Sequence, residues 1–205
     1  TLYVQERDAA GHWSSSSSST IIIDTTAPTS NLIGINSGAS YTSSTSVALS
    51  LNSTGASYMR CKNDSGIYSS YESYATSKSW ILTSTEGPRM VSVEFKDAAG
   101  NSTAVSDTIV LDTTPPSAPL VSPANGLSTN DTTPTWSWST GGGGNGTYRY
   151  KLNDSDMTSG ATQTTSTSFS PASNFSEGSY TLYVQERDAA GHWSSSSSST
   201  IIIDT

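Results

Sequence analysis

Four aspartates, Asp24, Asp97, Asp112 and Asp188, are the side chains of this sequence best placed to hold an ion. Asp97 and Asp188 each open a D-A-A-G turn, and Asp24 and Asp112 each open a D-T-T-x-P stretch. Carboxylates are hard oxygen ligands of the kind calcium takes, and backbone carbonyls can complete such a shell. A plainer reading stands beside this one. An Asp at the head of a tight turn bonds its own backbone, and the Gly that closes the turn takes a positive φ. A second constellation is aromatic. Tyr68, Tyr71 and Tyr74 recur every third residue in GIYSSYESYATSKSW. Rings of this kind stack on sugars, or pack against a core or an edge, so these three are the candidate glycan-binding residues.

Constellations for catalysis are missing from the sequence. His12 and His192 occupy the same position of a repeat, so no domain has two histidines for a triad or a zinc site. No serine stands in a nucleophile elbow. The run GGGGNG, residues 141–146, lacks the Lys-Ser/Thr of a phosphate loop. Cys61 is the one cysteine; on an apparent strand it reads as a small core hydrophobe. Glu72, Glu86 and Glu94 show no pairing at the level of sequence. The expectation is that the chain is not an enzyme. Its net charge of −8 and scattered lysines and arginines speak against nucleic acid. No stretch is apolar enough for membrane insertion. Seven Asn-x-Ser/Thr sequons, at Asn52, Asn63, Asn101, Asn130, Asn145, Asn153 and Asn174, and the serine runs from Ser14 and Ser194 offer places for attached sugar.

The elements that would position these residues are marked by repetition. Residues 1–25 read TLYVQERDAAGHWSSSSSSTIIIDT, and residues 181–205 read the same, an offset of 180 positions. A weaker match lies inside that unit: SVEFKDAAGNST at 92–103 against YVQERDAAGHWS at 183–194, and IVLDTT against IIIDTT. The unit is therefore two related domains, with the parent protein expected to be longer. The divisions are residues 1–25, the last hairpin of a preceding repeat; 26–113, domain one; and 114–205, domain two. A lone hairpin is marginal in water, so residues 1–25 should fray or pair with something.

Ser and Thr exceed a third of the chain, and Gly and Pro punctuate short runs of Val, Ile, Tyr, Trp and Thr. SVALSLN alternates Val47, Leu49 and Leu51 toward one face; MVSVEFKD does so with Val91, Val93 and Phe95, and TWSWST with Trp136 and Trp138. Pro28 stands where a linker meets an edge strand. About seven short strands per domain and no helical period predict an all-β fold of immunoglobulin-like sandwiches in an extended array.

The segments from Val91 through D-A-A-G-N to Asp112-Thr-Thr-Pro-Pro, and from Tyr183 through D-A-A-G-H to Asp204-Thr205, resemble tandem bacterial immunoglobulin-like and fibronectin-type-III-like repeats of large surface adhesins or extracellular fibres. His192 replaces the usual Asn. The resemblance implies a bacterial or archaeal cell-surface or extracellular protein. Its role would be structural, a rigid spacer, stalk or filament subunit whose partners are neighbouring identical repeats in the same or adjacent chains. The alternative is an accessory module that binds cell-surface glycans or a receptor. In such a sandwich the turn before the last strand faces the end of the preceding domain. Asp24 should then lie near Asp97, and Asp112 near Asp188, with calcium stiffening each joint, as it does in related repeats.

Overall fold

The computed structural model describes residues 1–205. It contains strands and no helix. In chain order these are β1 (Leu2–Val4), β2 (Ser17–Ser19), β3 (Thr29–Ile35), β4 (Tyr41–Thr42), β5 (Ser46–Thr54), β6 (Tyr58–Asn63), β7 (Glu72–Ser73), β8 (Ser77–Ile81), β9 (Gly87–Lys96) and β10 (Ser102–Leu111). The second half adds β11 (Leu120–Ser122), β12 (Leu127–Thr129), β13 (Trp136–Ser139), β14 (Thr147–Leu152), β15 (Thr162–Thr164), β16 (Ser168–Phe169), β17 (Gly178–Arg187) and β18 (Ser197–Ile203).

The same topology occurs twice. One three-stranded sheet runs β3-β5-β8 and one five-stranded sheet runs β4-β10-β9-β6-β7; their counterparts are β11-β13-β16 and β12-β18-β17-β14-β15. Eight strands appear in each set where about seven were expected. The extra one arises because the first strand breaks in two. Its first piece pairs antiparallel, β3 with β5 and β11 with β13. Its second piece pairs parallel, β4 with β10 and β12 with β18. Such a break lets one strand serve both sheets of a sandwich.

By proximity the chain forms two compact units: unit 1 is Thr1–Gly38, Ala48–Trp80 and Met90–Asp107; unit 2 is Ala39–Val47, Ile81–Arg89 and Thr108–Thr205. In unit 1, alternation along β5, β6 and β9 buries Leu49, Leu51, Met59, Cys61, Val91, Val93 and Phe95, as the sequence pattern predicts. In unit 2 the core gathers Trp136, Trp138, Tyr148, Leu182, Val184, Ile201 and Ile203. Trp136 is fully enclosed, its Nε1 donates to the Ser199 carbonyl at 3.1 Å, and its ring meets Phe169 and Phe175. An indole this deep needs such a partner for its one polar atom.

The two identical 25-residue segments make a direct comparison. In both, the hairpin holds one register: Leu2 faces Ser19 and Val4 faces Ser17, as Leu182 faces Ser199 and Val184 faces Ser197. The bridges Arg7 to Trp13 and Arg187 to Trp193 also correspond. Only the surroundings differ. Leu182 and Val184 are fully buried, whereas Leu2 and Val4 are 69 % and 59 % exposed. Ile201 lies in β18 at 1 % exposure, while Ile21, in no strand, is 82 % exposed. The turn is built alike in both copies; in the first, Leu2, Val4 and Ile21 are exposed and residues 20–25 form no strand.

Candidate metal centre

Each D-A-A-G turn is built by its own aspartate. Asp188 Oδ1 accepts from Gly191 N at 2.6 Å and His192 N at 2.8 Å; Asp97 Oδ1 accepts from Gly100 N at 2.7 Å and Asn101 N at 2.8 Å. Gly100 and Gly191 take φ of 103° and 102°, a region open to glycine at little cost. The fifth residue of each turn closes on the second oxygen. His192 Nδ1 lies 3.0 Å from Asp188 Oδ2, and Asn101 Nδ2 donates to Asp97 Oδ2 at 2.9 Å. Asn101 Nδ2 also donates to the backbone carbonyl of Asp24 at 3.0 Å.

These bonds favour ionised carboxylates. The Asn101 side chain, with the amides of the turn, holds Asp97 below its ordinary value near 3.8. Burial pushes Asp188 upward, but the His192 amide and ring and the Gly191 amide outweigh it, so Asp188 too is lowered.

Of the four aspartates that the sequence marks for an ion, the structure places them in two settings. Within unit 1, Asp24 turns its carboxylate onto Thr26 N at 3.0 Å, and its main chain, not its side chain, meets the Asp97 turn through Asn101. Within unit 2, Asp112 comes together with Asp188 and His192, their ligand atoms all within 4.8 Å of one another. Asp112 Oδ1 also accepts from Thr114 N at 3.1 Å. Sequence reasoning set His192 aside because it sought a second histidine; the partners here are two carboxylates. Glu86 was missed as well. Its Oε1 accepts from Thr113 N at 3.0 Å, from the Thr113 hydroxyl and from Thr114 Oγ1 at 2.8 Å, holding the stretch that follows Asp112. Glu177 repeats this role on Thr205. The signal was a glutamate about 27 residues before each D-T, which only a search for spacing between the two domains would find.

The three tyrosines are half-buried. The Arg60 guanidinium covers both Tyr68 and Tyr71, 4.7 Å and 4.4 Å from the ring centroids, and Lys96 Nζ sits 3.6 Å from the Tyr71 centroid. Glu94 ties this face together, pairing with Arg60 Nε and accepting from Tyr71 Oη at 2.7 Å. Tyr74 stands apart, edge-on to Phe95 with its hydroxyl accepting from Ser53 N at 3.0 Å. They do not form one row. On the ring faces that these cations cover, a stacking sugar would compete with them. Glu72, unpaired in the sequence, meets Lys78 Nζ at 2.7 Å.

The run 141–146 is a loop, as expected, and its glycines answer to packing. A Cβ at Gly144 would stand 2.0 Å from Glu186 Cδ, and one at Gly141 would stand 2.0 Å from the Ala118 carbonyl oxygen. Glu186 is buried, with Oε2 accepting from Thr140 Oγ1 at 2.7 Å.

Residues 122–205 match the family model described as a bacterial Ig-like domain. No curated protein matches the chain in sequence. Among solved structures, the chain is similar to fibronectin(III)-like modules of Clostridium thermocellum CbhA (12 % identity, TM-score 0.48, covering 84 % of this chain and 94 % of that one). It is also similar to a 1.5-MDa bacterial ice-binding adhesin (16 %, TM-score 0.47, covering 85 % and 65 %). A third is a tetra-tandem repeat in the extending region of a large adhesion protein (19 %, TM-score 0.36, covering 98 % and 55 %). The chain thus spans less than two thirds of the length of each of the two adhesin structures.

Proposed function

We propose, for a chain whose residues 122–205 carry a bacterial Ig-like domain, that it is a stretch of a tandem array serving as a structural spacer of an extracellular or cell-surface adhesin, without catalysis of its own. The observation that carries this reading is the pair of identical segments. Residues 181–205 close a sandwich by burying Leu182, Val184, Ile201 and Ile203. Residues 1–25 hold Leu2 and Val4 in the same register and leave them, with Ile21 and Ile23, open to solvent. The only cover known to fit them is the one their twin has, a segment like 114–180. Repetition of this unit supplies length, because each domain buries its own core and closes with its own last hairpin. The neighbouring repeat is thus the partner of residues 1–25.

The test is to place a copy of residues 114–180 ahead of Thr1, so that the sequence of 114–205 is regenerated before residue 26. Small-angle scattering should then show a particle longer by on the order of 30 Å, the width of one domain of this size. An added segment that stays unfolded, or that adds mass without length, would contradict the spacer reading.

A further inference from the structure

We propose that Asp112, Asp188 and His192 form a binding site for one divalent transition-metal ion of the zinc class, distinct from the calcium joint that four aspartates suggest. The ligand set decides the class. Calcium takes six to eight oxygens, and here two carboxylates are joined by an imidazole. Nitrogen and carboxylate ligands, three from protein with a fourth place left to water, suit zinc and its neighbours. The geometry is compatible. Asp188 Oδ2 and His192 Nδ1 are 3.0 Å apart, and Asp112 brings its oxygen within 4.8 Å of both. Zinc holds ligands at about 2.0–2.2 Å, so small rotations of the half-buried Asp112 and His192 close the site. Asp188 is the fixed element, 3 % exposed and pinned by two turn amides. Ligands held by such outer bonds lose little freedom on binding.

The chain contains its own controls. The same D-A-A-G turn occurs three times. Asp8 and His12 repeat the pair, Nδ1 to Oδ2 at 3.1 Å, outside any group of three ligand residues. Asp97 has Asn101 where Asp188 has His192. Only the third turn joins a histidine to two carboxylates. The site lies wholly within unit 2, so it stands or falls independently of what covers residues 1–25.

The experiment uses the 205-residue chain, titrated with Zn²⁺ by calorimetry and with Co²⁺ by visible absorption, beside His192→Asn, Asp112→Asn and His12→Asn. His192→Asn copies the residue that the Asp97 turn already tolerates, and its unfolding temperature without metal confirms that it is folded. The expected result is one tight ion per chain, visible cobalt bands, and at least a tenfold loss of affinity in both His192→Asn and Asp112→Asn. His12→Asn should bind as the parent does. Zinc binding that ignores His192 and Asp112, binding that disappears with His12, no binding at all, or calcium held more tightly than zinc would each overturn the proposal.

Discussion

Asp97 and Asp188 each bind three donors of their own turn, and this makes them acid-sensitive anchors. Their folded values are lowered, so their contribution is fully present above the ordinary carboxylate value near 3.8 and is lost as pH falls through the lowered values. Unfolding temperature should therefore stay level from neutral pH to about 5 and decline below about 4. The slope should shrink in Asp97→Asn and Asp188→Asn. An unchanged slope in both variants would remove these two groups from the account. Cys61 gives a second residue-level expectation. Burial pushes its thiol up to about 11, so at pH 8 almost none is thiolate and the side chain is enclosed. A thiol reagent should leave the native chain unmodified and label one thiol per chain once urea unfolds it.

Elements, rather than residues, explain what the sequence made readable and what it did not. The alternations at Val47, Leu49 and Leu51, at Val91, Val93 and Phe95, and at Trp136 and Trp138 all point inward, because a strand's period of two leaves one face for the core. The break of each first strand into two pieces was not legible. Both breaks carry turn residues, Asn36-Ser37-Gly38 and Asn125-Gly126, but which sheet edge the second piece meets depends on the topology. The identical 25-residue segments show the same limit directly: TIII at 200–203 ends β18 where β12 and β17 flank it, whereas residues 20–25 form no strand. Of the candidate site, the turns at Asp97 and Asp188 could be read locally, whereas the meeting of Asp112 with His192 required the topology. The glycine run follows the same logic. The sequence marks it only as a loop, whereas in the fold Gly144 and Gly141 abut Glu186 and Ala118. Gly144→Ala should destabilise unit 2 by about 1–3 kcal/mol, the usual cost of overpacking. Trp136→Ala, which empties the centre of the aromatic cluster and removes the indole's bond to the Ser199 carbonyl, should cost about 3–5 kcal/mol. Urea denaturation followed by tryptophan fluorescence measures both; a loss under about 0.5 kcal/mol for either would contradict the packing described.

At the scale of the whole molecule, composition and fold describe a chain of repeated all-strand, Ig-like units. The chain is acidic, with a net charge of −8, rich in Ser and Thr, and made of strands alone. No helix is long and apolar enough to cross a membrane. Two sheet sets of one topology, each ending in a D-A-A-G hairpin, give a unit that can be added again without new chemistry. Leu2, Val4, Ile21 and Ile23 are exposed, whereas their twins Leu182, Val184, Ile201 and Ile203 are buried.

Hydrogen exchange at residues 1–25 is the most direct measure of that claim, made on the 205-residue chain and on the chain extended by a copy of residues 114–180 ahead of Thr1. In the parent, amides 2–4 and 21–23 should exchange fast, while their twins at 182–184 and 201–203 are protected. In the extended chain the first set should slow to match the second, since both would then lie in closed sandwiches. If residues 21–23 remain as exposed to exchange in the extended chain as in the parent, the hairpin does not close a preceding domain and the array reading is wrong.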